Sequence, residues 1–168
     1  MNFFRIVPMA PHHGASMAEL EKVCFSLPWS YQSCMEELRN PRGVYLAAEE
    51  LRDSAACAPP DAPIPPRGTL IGYAGMQTVL DEGHITNIAV EPSFRRKGLG
   101  RALLTELIAQ ARLKNLQFLT LEARAGNEPA IALYRDMGFR PDGLRRNYYE
   151  SPPEDALLMS FRWGEEGP

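Results

Sequence analysis

Arg95-Arg96-Lys97-Gly98-Leu99-Gly100-Arg101 stands between an apolar run, Ile85 to Val90, that reads as a strand, and an amphipathic run, Ala102 to Ala111, that reads as a helix. The two glycines let the backbone turn tightly and aim its amides at one spot. The first turn of the helix adds unpaired N–H groups and the positive end of the helix dipole. Arg95, Arg96, Lys97 and Arg101 surround that spot with positive charge. A strand, a glycine turn and a helix N-terminus in this order make a holder for a polyanion, most simply a pyrophosphate. The plainer alternative is a basic turn that only caps a helix.

Outward from this turn the chain alternates irregularly. Phe3 to Val7 reads as a first strand closed by Pro8 and Pro11. Ser16 to Phe25 carries Met17, Leu20, Val23 and Cys24 at helical spacing. Pro28-Trp29-Ser30 interrupts it, and Ser30 is placed to cap a second helix that runs to about Arg39 before Pro41. Val44 to Ala48, Thr69 to Leu80 and His84 to Val90 read as strands, with a turn at Asp81-Glu82-Gly83. The helix after the basic turn runs from Gly100 to about Lys114 and gathers Leu103, Leu104, Leu107, Ile108 and Ala111 on one face. Phe118 to Glu122 is a strand. Pro129 opens a helix carrying Ile131, Leu133, Tyr134 and Met137, with Gly138 at its C-terminal end. Phe139 begins an extended segment, and Ala156 to Phe161 is the last strand.

The order is strand, two helices, three strands, helix, strand, helix, two strands. This predicts a mixed α/β (α+β) fold, with helices on both faces of one sheet, and not the regular alternation of a doubly wound fold. The whole chain of 168 residues fits one domain. Arg52 to Gly68 is dense in alanine and proline and cannot sustain a ladder, so it reads as a loop inserted in one hairpin.

Composition narrows the function. The apolar fraction of 45% and charged fraction of 23% are those of a globular protein. A net charge of −3 gives no basic field for nucleic acid, so the basic turn stands against an acidic background and favours a small anion. Cys24, Cys34 and Cys57 lack C-x-x-C spacing and read as reduced thiols, Cys24 and Cys34 as packing residues. His12 and His13 are adjacent and His84 stands alone, so no metal spacing is present. The first residues lack the apolar core of a signal peptide, and no run reaches the roughly 18 residues of a membrane span. A cytoplasmic location without membrane contact is the expectation.

The glycine turn fits neither G-x-x-x-x-G-K-[ST] nor a dinucleotide fingerprint, in which Leu103 would hold the third small-residue position. It does resemble the [QR]-x-x-G-x-[GA] motif of the GCN5-related N-acetyltransferase (GNAT) superfamily. Asn87-Ile88-Ala89-Val90 looks like that family's cofactor-facing strand. Asn127, Ala130, Leu133-Tyr134 and Gly138-Phe139 resemble its N-x-x-A-x-x-L-Y-x-x-x-G-F segment. Pro28-Trp29-Ser30, Leu121-Glu122-Ala123-Arg124, Arg145-Arg146-Asn147-Tyr148-Tyr149 and Glu154-Asp155-Ala156 are similar to the family's ribosomal-protein-alanine N-acetyltransferase subgroup. The chain departs from the pattern in the proline-rich stretch 52–68 and at Gly126, where many members have serine.

The resemblance implies a mostly antiparallel sheet of about seven strands flanked by about four helices, and acetyl-CoA as co-substrate with no metal. It implies backbone pairing of the pantetheine arm with Ile88, Ala89 and Val90, pyrophosphate contacts from Arg95, Arg96, Lys97, Gly98, Leu99, Gly100 and Arg101, and a cofactor contact from Asn127. It also implies an acceptor at a protein N-terminus, that of an alanine-initiated small-subunit ribosomal protein, with no direct nucleic-acid partner. Asn127 alone reads equally as an N-cap, and Ile88 to Val90 as buried strand.

The chemistry needs a base for the amine proton and an acid for the leaving sulfur. Glu122, a carboxylate ending an apolar strand, is the candidate base, acting directly or through water. Tyr134 is the candidate acid. Both match the subgroup's catalytic pair, while on their own they would read as a strand-end charge and a core aromatic. Trp29, Tyr148 and Tyr149 line either the acceptor groove or the core. Asp81 and Glu82 read as solvated turn charges. Arg145-Arg146 has no independent role. A GNAT acting on lysine or a small amine, and a non-catalytic acetyl-CoA-binding module, remain as alternatives.

Overall fold

The computed structural model describes residues 3–51 and 68–164. Its strands are β1 (Phe4–Pro8), β2 (Gly43–Glu50), β3 (Thr69–Val79), β4 (Glu82–Val90), β5 (Phe118–Arg124), β6 (Arg140–Glu150) and β7 (Pro153–Arg162). Its helices are α1 (Gly14–Cys24), α2 (Tyr31–Arg39), α3 (Leu99–Leu113) and α4 (Glu128–Asp136). The seven strands form one sheet in the order β1-β2-β3-β4-β5-β7-β6. Only β4 and β5 run parallel, and the other pairs are antiparallel. The order of elements and the mixed, mostly antiparallel sheet are those expected from the sequence. Most of the proline-rich stretch, with Cys57, lies outside the described residues. Among the described residues no helix is long and apolar enough to cross a membrane.

Two apolar clusters cover the two faces of the sheet. One joins Leu99, Leu103, Leu104 and Leu107 of α3 to Leu119 and Leu121 of β5, Ile131 of α4 and Phe139. The other joins Met17, Leu20 and Cys34 of α1 and α2 to Tyr45, Tyr73 and Ala89 of the sheet. Leu103, Leu104 and Leu107 have no exposed surface, so truncating any of them to alanine costs about 2–5 kcal/mol.

Three details differ from the sequence reading. The hairpin turn is Leu80–Asp81, with Glu82 already in β4. Val23, read at an apolar position, is 59% exposed, and Glu21, which the sequence reading did not single out, is buried. Glu21 can sit there because it is fully partnered: Tyr73 Oη and Asn87 Nδ2 donate to Oε1, and the Trp29 N–H donates to Oε2 at 2.8 Å. That carboxylate ties the α1–α2 segment to β3 and β4.

Candidate active site

The site begins at an interrupted strand pair. β4 and β5 pair only at Glu82↔Phe118, Gly83↔Leu119 and His84↔Thr120. On its other side β4 stays paired to β3 as far as Val90, with an irregularity where Ile85 pairs Met76 and Asn87 pairs Gly75, leaving Thr86 as the extra residue. A bulge of this kind bends its strand, and beyond it β4 and β5 no longer pair. Along Ile88, Ala89 and Val90 the strand therefore keeps an edge that β5 does not use, although the Val90 carbonyl already accepts Arg95 Nε and the Cys24 thiol. An amide-rich chain can pair with such an edge as another strand would.

The basic turn follows at the end of this edge. Gly98 is the N-cap of α3, with φ 82° and ψ 1°. Having no side chain, it leaves the amides of Leu99, Gly100 and Arg101 without a side-chain cap, whereas Ser30 caps α2 and Asn127 caps α4. Beyond Gly98 itself, its two chain neighbours and the backbone of its own helix, no atom lies within 4 Å of the place where a Cβ on Gly98 would stand. Unspent amides, the positive end of a 15-residue helix and open space in front of them suit a diphosphate. The structure corrects the picture of four cations converging here. Arg95 turns back and donates from Nε to the Val90 carbonyl at 3.0 Å. Arg101 is held by Asp136 at 2.9 Å, and Lys97 lies over the Phe94 ring. Arg96, at φ 63°, makes no ion pair with the described residues.

Strand alternation sets the chemical groups. Leu119, Leu121 and Ala123 of β5 are buried in the α3–α4 cluster, which turns Thr120, Glu122 and Arg124 to the opposite face. A cleft of about 500 Å³ lies there, and Glu122, Tyr134, Asn127, Trp29, Tyr148 and Tyr149 all line it. The expected acid and base thus share one space. The aromatic residues that could have served either groove or core line the cleft, with Tyr148 45% exposed. Asn127 lines it while also capping α4 through Oδ1, which accepts the Ala130 N–H at 3.4 Å.

Glu122 has partners that the sequence did not announce. His84, which stood alone, places Nε2 3.2 Å from Oε2, and its Nδ1 lies 3.1 Å from Thr120 Oγ1. Arg145 Nη1 is 3.7 Å from Oε1. The Glu122 side chain is 10% exposed, so it is shielded yet reachable from the cleft. The Tyr134 ring packs on Phe139 at 6.0 Å between centroids. Burial, with Tyr149 nearby, pushes the Tyr134 phenol up to about 12. It stays protonated at neutral pH and can donate. Cys24 also belongs to the cleft and not only to packing: its thiol donates to the Val90 carbonyl at 3.5 Å, and burial raises its pKa despite Arg95.

Two other places were candidates for chemistry. His12, His13 and Glu49 come close enough to suggest a metal site among the described residues. His13 Nδ1, however, accepts the Ala10 N–H at 3.0 Å, so Nε2 carries the proton that faces Glu49 at 2.9 Å. That ring has no lone pair left for a metal, and Arg5 occupies the other carboxylate oxygen at 2.7 Å. A hollow of about 330 Å³ beside the C-terminal end of α3, between Arg112 and Trp163, has no acid–base pair.

Residues 15–139 match the acetyltransferase (GNAT) family. The N-alpha-acetyltransferase RimI of Mycobacterium tuberculosis (strain ATCC 25618 / H37Rv) is 36% identical over 148 residues, covering 84% of this chain and 82% of that protein. The ribosomal protein bS18-alanine N-acetyltransferase of Escherichia coli (strain K12) is 46% identical over 96 residues, 56% of this chain and 65% of that protein. The crystal structure of the ribosomal-protein-S18-alanine N-acetyltransferase from Escherichia coli superposes with a TM-score of 0.79 at 30% identity, covering 98% of this chain and 99% of that one.

Proposed function

The chain belongs to the acetyltransferase (GNAT) family and is an acetyl-CoA-dependent N-acetyltransferase, and from that premise we propose that its acceptor is the α-amine of a protein's first residue, foremost the N-terminal alanine of ribosomal protein bS18. One observation carries the reading: Glu122 and Tyr134 line a single cleft at the fork where β4 and β5 part. Acetyl-CoA supplies an acyl group already activated as a thioester. The residues that would hold it are the edge at Ile88, Ala89 and Val90 that β5 leaves unpaired, the turn from Arg95 to Arg101, and Asn127.

The acceptor amine has to lose a proton before it can attack. Glu122 takes that proton, directly or through one water. Its contact with His84 engages Oε2, and Oε1, 3.7 Å from Arg145 Nη1, keeps lone-pair capacity for the acceptor. Tyr134 donates a hydrogen bond toward the sulfur as negative charge grows there. An α-amine titrates near 7.7–8.0 and a lysine near 10.4. A carboxylate is therefore a sufficient base for the first, while the second needs more than two further units of help. Glu150, which also lines the cleft, adds negative charge that draws an ammonium group in. We read the chain as one acetyltransferase domain working in the cytoplasm, where ribosomal proteins are made and thiols stay reduced, with no nucleic acid or membrane in the reaction.

The test is a panel of peptides in a thiol-release assay. An alanine-initiated peptide with the bS18 N-terminal sequence should release CoA. The same peptide with its amine blocked but an internal lysine free should not. Turnover of the blocked peptide in preference to the free one assigns the enzyme to lysine instead.

A further inference from the structure

We propose that Arg124 is the positioning residue that sets the acceptor end of the cleft, by locking the segment between α1 and α2 to the β6–β7 hairpin. The proposal rests on the reading that this cleft takes the acceptor chain. Arg124 is the last residue of β5, two beyond Glu122 and on the same face of the strand. Its guanidinium is where three pieces of chain meet. Nη2 donates to the Ser151 carbonyl at 2.9 Å and to Ser26 Oγ at 3.3 Å. Nη1 donates to the Pro152 carbonyl at 3.0 Å and lies 3.4 Å from Glu154 Oε1. The group sits 4.2 Å from the centre of the Tyr149 ring.

Ser26 completes the lock, since its hydroxyl donates to the same Ser151 carbonyl that Arg124 holds. Among the described residues, every hydrogen bond between segment 25–30 and hairpin residues 148–153 passes through Ser26 or through Arg124 beside it. Each side of this junction carries cleft walls: Phe25, Leu27 and Trp29 on one, Tyr148, Tyr149 and Glu150 on the other. The spacing of the walls is therefore set at one point, two residues from the candidate base. A buried core contact would not account for the arrangement, because the Arg124 side chain is 26% exposed and its partners are main-chain carbonyls at loop ends. Arginine is suited to this position. Its planar fork spreads five donors over three nitrogens and so spans two carbonyls and a hydroxyl, whereas an ammonium gathers its three donors on one atom.

The donor half of the cleft is built from other residues, so the lock should act on the acceptor alone. In Arg124→Ala the KM for the alanine-initiated peptide should rise about tenfold or more, as for loss of a charge-assisted cluster. The calorimetric Kd for acetyl-CoA should stay within about twofold, since none of its proposed contacts is touched. Amide hydrogen exchange should speed up in residues 25–30 and 148–153 and stay unchanged in α3. Arg124→Lys and Ser26→Ala, which keep the fold if Arg124→Ala does not, should give smaller rises of about two- to fivefold. The rises for Ser26→Ala and Arg124→Ala should not multiply in the double variant, because the two groups share one junction.

An unchanged peptide KM in these variants overturns the proposal, and so does a general loss of stability with unaltered exchange in the two segments. If the wild-type chain acetylates no N-terminal peptide, the functional reading falls. The exchange measurement then still decides the lock by itself.

Discussion

Replacing Tyr134 by phenylalanine removes the oxygen of a residue that lines the cleft. The ring keeps its contact with Phe139, and no described residue hydrogen-bonds the hydroxyl. Folding stability should change by no more than about 0.5 kcal/mol, the ordinary range for a substitution that breaks no partner. Catalysis should suffer far more. A preorganised donor aimed at developing charge is worth about 2.7–4 kcal/mol, or about 10²–10³ in kcat. The assay is release of CoA at saturating peptide and acetyl-CoA, repeated as a single turnover so that slow product release does not mask the chemical step. Calorimetry should show acetyl-CoA bound as in the wild type. Because burial holds the phenol at about 12, its ionisation contributes no basic limb between pH 6 and 9. The variant's profile over that range should run parallel to the wild type at a lower level. A kcat within about threefold of wild type in the single-turnover experiment refutes the assignment of Tyr134, since one donor to developing charge cannot be worth so little.

Glu122→Gln should lower kcat by about 10²–10⁴, and the defect should narrow above pH 8 as the α-amine of the peptide deprotonates unaided; a defect that is the same at every pH argues against a base role. His84→Ala should cost about tenfold in kcat at unchanged KM for acetyl-CoA, through loss of the contact that orients Glu122, with His84→Gln recovering part of it; equal rates in all three proteins remove His84 from the site. Gly98→Ala forces a side chain into a left-handed backbone at a cost of about 1–2 kcal/mol, so the melting temperature should fall by a few degrees and acetyl-CoA should bind more weakly; tighter or unchanged binding contradicts the cradle. Burial raises Tyr45, Tyr73, Tyr134 and Tyr149 above the ordinary value of 10.0. Raised folded-state values give stability that is whole below pH 10 and is lost as pH climbs from there, because the unfolded chain ionises first. Ultraviolet titration should show these phenols ionising late and together with alkaline unfolding.

What was legible in the sequence is what depends on neighbours along the chain. Ser30 caps α2, which ends at Arg39, because capping and proline punctuation act within a few residues. Gly98-Leu99-Gly100 opens α3 for the same reason. The apolar run from Phe118 marked a strand with Glu122 at its end, and the strand runs two residues further, to Arg124. What was hidden depends on register. His84 meets Glu122 only because β4 and β5 pair in parallel with His84 opposite Thr120, and nothing near either residue encodes that pairing. Arg145 reaches Glu122 from a third strand. The side chains of Arg95 and Arg101 were counted into the cradle by position, yet each finds a nearer partner in the folded chain. Glu21 was passed over because a carboxylate on a helical face reads as solvated. Three donors, two from the sheet and one from the loop after α1, account for its burial.

The fork between β4 and β5 explains why these parts work together. A sheet has two faces, and an acyl donor and an acceptor chain approaching from the same face would compete for one space. Here the extra residue at Thr86 bends β4 away from β5, and the opening passes between the faces. Tyr134, on the helix packed against one face, and Glu122, on the other face of β5, then line the same cleft. The departing strand presents the edge that β5 leaves unpaired just before the start of α3, so on the proposed reading one strand–turn–helix passage both opens the sheet and would grip the donor. The acceptor side needs a separate device, because the loops that wall it come from distant parts of the chain. Arg124 is placed to be that device: it stands at the end of the strand that carries the proposed base, and it joins the two walls where they meet. Donor and acceptor specificity should therefore be separable by substitution, with changes at residues 96–100 moving only the first and changes at Ser26 and Arg124 only the second.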